Sequence, residues 1–201
     1  VDALHILAIE CRAGPRARSY SRAGGLPDDA FRHDGQITKQ AVRAATLALL
    51  APLPNETLWD IGAGAGSVAI EWLRIASGAR AIAIEPDAAR RANIAHNAAF
   101  LGVPQLEVVA GEAPEALAGL PAPDAIFIGG GVATPGAIDA SWAALSPGGR
   151  LVANAVTLEG ERALIEAQTR FGGRLMRLTH AVAEPLGAFR AWRPQLPVTQ
   201  W

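Results

Sequence analysis

Covalent cross-linking within the chain is excluded first. Cys11 is the only cysteine, so no internal disulfide can form. A reducing compartment fits that count, and no signal-peptide pattern is seen, so a cytoplasmic protein is expected. Charge is sparse as well. There are 18 Lys plus Arg against 19 Asp plus Glu, a formal net charge of -1, which offers no general attraction to nucleic acid or an anionic membrane. Half of the residues are apolar, yet no apolar run approaches the length of a membrane span. Neither nucleic acid nor membrane is therefore an expected partner. His5, His33, His96 and His180 have no metal-like spacing, and no metal is expected.

What is present is enough for one domain with a full core in 201 residues. The longest apolar segments, Ala79 to Ile84 and Ala125 to Ile128, have the length of buried strands. Near-continuous apolar strands imply a parallel sheet covered on both faces. The first residues read differently. Leu4 to Ile9 is strand-like, Gly14 to Gly25 is a linker rich in Arg, Ser, Gly and Pro, and there is no initiator Met. Residues 1–24 are thus expected to be the remnant of a preceding domain and its linker, with the main domain at 25–201. The basic cluster Arg12, Arg16, Arg18 and Arg22 reads as a solvated linker, or as an arm that meets an anionic substrate.

A helix is expected over Thr38 to Leu50, with Thr38 as its N-cap and Pro52 and Pro54 beyond its end. From Thr57, strands and helices alternate. Strands are expected at Leu58–Ile61, Ala81–Glu85, Leu106–Ala110, Ala125–Ile128 and Arg150–Ala155. Helices are expected at Gly66–Ala76, Ala88–Leu101, Pro135–Leu145 and Leu158–Phe171, with a short one near Pro114–Leu117. The tail from Arg174 carries two more strand-like runs that could pair as a hairpin on the sheet edge. Such alternation implies a doubly wound α/β sandwich.

The first strand runs directly into Gly62-Ala63-Gly64-Ala65-Gly66, ahead of a helix. Glycines are needed where backbone turns tightly against a ligand, and N–H groups at a helix start face that ligand. The spacing is GxGxG, with Ser67 where a dinucleotide fingerprint needs its third glycine. Asp60, just before the turn, would repel a pyrophosphate but attract the ammonium of S-adenosylmethionine. Glu85 ends the next strand, about 20 residues past the turn, where a carboxylate can accept hydrogen bonds from both ribose hydroxyls. The plainer reading of Glu85 is a surface charge at a strand end. The Gly111-Glu112-Ala113-Pro114 loop would edge the adenine through Ala113, with Glu112 as a polar neighbour, or is an ordinary loop.

Gly129-Gly130-Gly131 ends the fourth strand and leaves an open floor beside the methyl group. No Pro-Pro-aromatic motif stands there, which disfavours an amino-group nucleophile. Methyl transfer from a sulfonium needs mainly alignment, and no catalytic dyad is identified. The alternatives are a methyltransferase for RNA or protein on the same fold and a nicotinamide oxidoreductase, the latter opposed by the GxGxG spacing and Asp60.

Several segments together resemble the CbiT family: Gly25 to Lys39, Leu58 to Ser67, Gly111 to Leu117, Phe127 to Gly131 and Asn154 to Glu159. The resemblance runs from Gly25 to Trp201. It implies a class I, Rossmann-like methyltransferase with a mostly parallel seven-stranded sheet and an antiparallel C-terminal edge strand. It implies methylation of a precorrin at ring carbon 15, coupled to decarboxylation of the carbon-12 acetate, in cobalamin synthesis. It also implies fusion behind a second methyltransferase domain, as in CobL-like proteins, and a homo-oligomer, tetramers being common. Implied cofactor contacts are Thr38, Gly62, Ala63, Gly64, Ala65, Gly66, Glu85 and Ala113. Many relatives carry Thr where this chain has Ala65, so a hydroxyl contact is expected to be lost. A corrin precursor bears many carboxylates, for which Arg32, Lys39, Arg43 and Arg190 are candidates. His33 and Thr157 complete the candidate substrate residues.

Overall fold

The structure is a computed structural model and describes residues 7–15 and 17–201. His5, Arg16 and most of the strand-like run before Leu7 lie outside the described residues. Leu7 and Ile9 are exposed and belong to no strand.

Five parallel strands form the centre: β1 (Thr57–Ile61), β2 (Arg80–Glu85), β3 (Glu107–Ala110), β4 (Ala125–Ile128) and β5 (Arg150–Ala155). β6 (Met176–Leu178) and β9 (Val198–Gln200) extend the sheet, which runs β3-β2-β1-β4-β5-β9-β6. β9 is antiparallel to both neighbours, so the antiparallel strand lies one place in from the edge.

Side chains alternate along each strand and feed two cores. Leu58, Ala83 and Phe127 pack with helices α1 (Gln40–Leu50), α2 (Ser67–Ile75) and α3 (Ala88–Phe100). Trp59, Ile84 and Ile126 pack with α4 (Ala137–Ala144) and α5 (Leu158–Phe171). The central strands are therefore buried on both faces, which is why they read as apolar runs rather than alternating ones.

Two local expectations are corrected. Thr38 does not cap α1: Lys39 holds the N-cap position and makes no side-chain cap. The Thr38 carbonyl instead accepts a hydrogen bond from the Arg43 guanidinium. The tail contains four strands rather than two. β7 (Ala181–Leu186) and β8 (Phe189–Pro194) form their own two-stranded ribbon, off the main sheet. Both of its strands are edges, where Pro185 and Pro194 are tolerated.

The strand order reverses direction between β1 and β4. Connections leave these two strands toward opposite faces, which opens a crevice at their carboxyl ends.

Candidate active site

A cavity of about 730 Å³ lies at that switch point. Small-molecule sites span roughly 300–1,000 Å³. From the sheet order, Glu85, Gly111 and Ala113 line the side nearest β2 and β3, while Asn154, Thr157 and Val198 line the side nearest β5 and β9. Gln36 to Lys39 form a wall from outside the sheet.

The glycine turn lies between the two sides. Gly62 has φ +66°, and a Cβ there would stand 2.6 Å from the Gly130 Cα. The N–H groups of Gly129 and Gly130 donate to the Ile61 carbonyl at 2.9 and 3.3 Å, which holds the two glycine segments together. The turn's own N–H groups are largely used within the protein. Gly62 and Ala63 donate to the Ile84 carbonyl at 2.9 and 3.1 Å, and Gly64 donates to Glu85 Oε2 at 2.8 Å. These bonds leave the glycine turn itself few N–H groups to offer a ligand. What the turn presents is bare backbone that permits close approach.

Glu85 is buried at the end of β2 and lines the cavity. Its second oxygen accepts from the Asp87 N–H at 3.0 Å. A carboxylate has about four acceptor positions, so capacity for diol hydroxyls remains.

The structure brings Thr38, Lys39, Gly62, Ala63, Gly64, Glu85, Glu112, Ala113, Gly129, Gly130, Gly131 and Thr157 to one cavity. It does not bring Asp60, Ala65, Gly66, Arg32 or His33 into that lining. Gly66 is the N-cap of α2, packed against Ile94. Ala65 is buried outside the cavity lining, and its carbonyl accepts from Asn97 Nδ2 at 3.0 Å. The backbone of Arg32 is held by the Asn97 side chain at 2.7 and 2.9 Å, and its side chain is exposed elsewhere. His33 Nδ1 accepts from the Gly35 N–H at 3.0 Å in a local turn. Arg43 is fully buried and Arg190 lies on the exposed ribbon, so neither is at the cavity.

Reading the sequence missed Gln36, Arg90, Asn154, His180 and Leu196, which also line the cavity. Arg90 carries a local signal: Asp87 caps α3 by accepting from the Arg90 N–H at 2.9 Å, which sets Arg90 in the first turn beside the end of β2. His180 and Leu196 flank the ribbon and reach the cavity only because β9 returns into the sheet. No metal cluster of three or more His, Cys, Asp or Glu occurs among the described residues.

Asp60 works from behind the turn. Its Oδ2 accepts from the Ala69 N–H at 3.0 Å, so it caps the start of α2. Burial raises its pKa from 3.8 to about 7, opposed by the Ala69 hydrogen bond and reinforced by the Glu85 charge. Between those pH values the folded state binds more protons than the unfolded chain. Stability therefore falls as pH rises from 3.8 to about 7, by at most about 4 kcal/mol. Asp60→Asn is expected to flatten that slope in chemical denaturation across this range. An unchanged slope in the variant would refute this account.

The strand order, the glycine turn and the switch-point cavity define a Rossmann-like methyltransferase fold, one shared with solved S-adenosylmethionine-dependent methyltransferases. A family profile described as "Precorrin methyltransferase domain" matches residues 29–201. The chain belongs to that family. A precorrin-6Y C(5,15)-methyltransferase (decarboxylating) from a Sinorhizobium species is 52% identical over 201 residues, covering 100% of this chain and 49% of that protein. The crystal structure of the C-terminal domain of precorrin-6Y C5,15-methyltransferase from Rhodobacter capsulatus has 51% identity and a TM-score of 0.84, covering 90% of this chain and 98% of that one. A probable cobalt-precorrin-6B C(15)-methyltransferase (decarboxylating) from Pyrobaculum calidifontis is 37% identical over 153 residues, 74% of this chain and 78% of that protein. The chain spans about half the length of the precorrin-6Y C(5,15)-methyltransferases it matches. No helix among the described residues is long and apolar enough to cross a membrane.

Proposed function

We propose that this chain uses S-adenosylmethionine to methylate a precorrin at ring carbon 15 and to decarboxylate its carbon-12 acetate, in cobalamin synthesis. The observation that carries the reading is a relative of which this chain spans 78%, named for carbon-15 methylation with decarboxylation. The precorrin-6Y relatives are about twice as long, and the solved Rhodobacter capsulatus relative is a C-terminal domain; methylation at ring carbon 5 would then belong to a fused preceding domain. Residues 1–24 would be its end and linker.

The lining of the cavity supports a cofactor site. Glu85 would accept the ribose hydroxyls, Ala113 would edge the adenine, and Gly62 to Gly64 with Thr38 would lie along the amino acid part. Asp60, Ala65 and Gly66 support that turn from beneath. The cofactor, when bound, supplies an activated methyl on a sulfonium. The glycine floor at Gly129 to Gly131, which lines the same cavity, would lie beside that methyl on the substrate side. Lys39 lines the cavity and can meet a peripheral carboxylate. In decarboxylation the acetate C–C bond breaks and carbon dioxide leaves; the electron pair delocalises into the ring and returns to the methylene carbon as that carbon takes up a proton to become a methyl group. Self-association, implied by the family, would cover Leu186, Phe189 and Trp192, which stand exposed on the ribbon.

Titration calorimetry is expected to show binding of S-adenosylhomocysteine and not of NADH. Incubation with a precorrin-6 substrate and S-adenosylmethionine, followed by mass spectrometry, is expected to show gain of one methyl with loss of carbon dioxide. Methyl gain alone would contradict the coupled decarboxylation. Tight NADH binding with none of the homocysteine product would overturn the methyltransferase reading.

A further inference from the structure

The cavity wall at Gln36 to Lys39 belongs to no strand or helix, apart from its approach to α1. The segment that carries it leaves the protein body near Leu26 and returns at Thr38. Leu26, Ala30 and Phe31 are buried and seat its first half by apolar packing. The second half, from His33 on, is more exposed.

One side chain bonds to both ends. Arg43 is fully buried on α1. Its Nη2 donates to the Leu26 carbonyl and its Nη1 to the Thr38 carbonyl. Nη1 also meets Asp28 at 3.1 Å, and Nε donates to Glu71 Oε1 at 2.6 Å. The guanidinium lies over the Phe31 ring, 4.9 Å from its centroid. Glu71, on α2, also accepts from the N–H groups of Gly25 and Leu26.

Buried ion pairs are weak contributors to net stability, because desolvation offsets their attraction. What a guanidinium adds is geometry: donors in a rigid fork that fixes two acceptors relative to each other. Here those acceptors are the carbonyls on either side of the segment. The consequence is felt at the turn, where a Cβ on Gly64 would stand 3.0 Å from the Gln36 carbonyl. The wall is therefore held in register against the glycine turn.

We infer that Arg43 is a positioning residue for the cofactor: paired with Glu71, it holds Thr38 and the Gln36 carbonyl at the spacing from Gly62 to Gly64 that the ligand needs. This rests on reading the cavity as an S-adenosylmethionine site. A wall that reaches its place only part of the time lowers apparent affinity by that fraction.

The test compares the wild type with Arg43→Met/Glu71→Gln, which removes both charges together, and with Arg43→Lys, which keeps the charge without the fork. Calorimetry with S-adenosylhomocysteine is expected to give a Kd raised roughly tenfold or more in the double variant, and less in Arg43→Lys. The KM for S-adenosylmethionine is expected to rise by more than kcat falls. A folded double variant with a lower melting temperature and an unchanged Kd gives Arg43 a purely structural role and overturns the proposal. Where the double variant does not fold, Arg43→Lys with wild-type affinity overturns it equally. Failure of the wild type to bind S-adenosylhomocysteine would instead remove the cofactor reading beneath it.

Discussion

Gly62→Ala is expected to abolish measurable cofactor binding and to destabilise the fold by about 3 kcal/mol or more. Two costs add. Gly62 has φ +66°, and an L-residue in that region loses roughly 1–2 kcal/mol. The added Cβ would then lie 2.6 Å from the Gly130 Cα and 2.7 Å from the Gly130 N and O. All three are backbone atoms, so no side chain can swing aside. Relief would separate Gly130 from the end of β1 and break the hydrogen bonds into the Ile61 carbonyl. Those bonds also set the glycine floor, so the cavity would change shape at its middle. Gly102→Ala is the control: its φ is +80°, but nothing lies within 4 Å of the added carbon. It is expected to cost about 1 kcal/mol, the backbone strain alone. Denaturant unfolding and titration with S-adenosylhomocysteine read both variants. Equal stability of the two, with binding retained in Gly62→Ala, would show that the contact between the glycine segments is not needed.

Glu71→Ala is expected to lower stability by about 3–5 kcal/mol. Its carboxylate is 1% exposed and accepts from Arg43, Gly25 and Leu26. Removing it leaves the Arg43 guanidinium, 0% exposed, with Asp28 as its remaining carboxylate and two carbonyls as acceptors. A buried charge so deprived is far costlier than a missing surface pair. Asp139→Ala provides the comparison, since Arg170 and Asp139 pair with 58% and 50% of their side-chain surface exposed. That variant is expected to change stability by no more than about 1 kcal/mol. A Glu71→Ala loss as small as the Asp139→Ala loss would mean that the buried cluster relaxes by admitting water.

Much of the site was legible before the fold was known, and the reasons are local. The GxGxG turn, the carboxylate at the end of the next strand and the triple glycine each sit at a strand's carboxyl end, and a switch-point fold brings such ends together whatever the details. Gln36 and Arg90 lay within reach of the same reading: one belongs to the segment resembling the family opening, the other follows a helix cap.

The amino-acid sequence by itself determined the alternation of apolar strands with helices, the position of the turn and the placement of Glu85 and Ala113, because each depends on neighbours a few residues away. The tertiary structure alone decided the roles of the charged residues. Asp60 could be read as a cofactor contact and Arg43 as a substrate contact, since both are charged and stand near the right segments. Asp60 is spent on the start of α2, and Arg43 on Glu71, Leu26 and Thr38. The same holds for His180 and Leu196, which β9 carries to the cavity by returning between β5 and β6. A buried charge is placed by partners distant in the chain, and the cost of leaving it unpaired is met only once those partners are assembled.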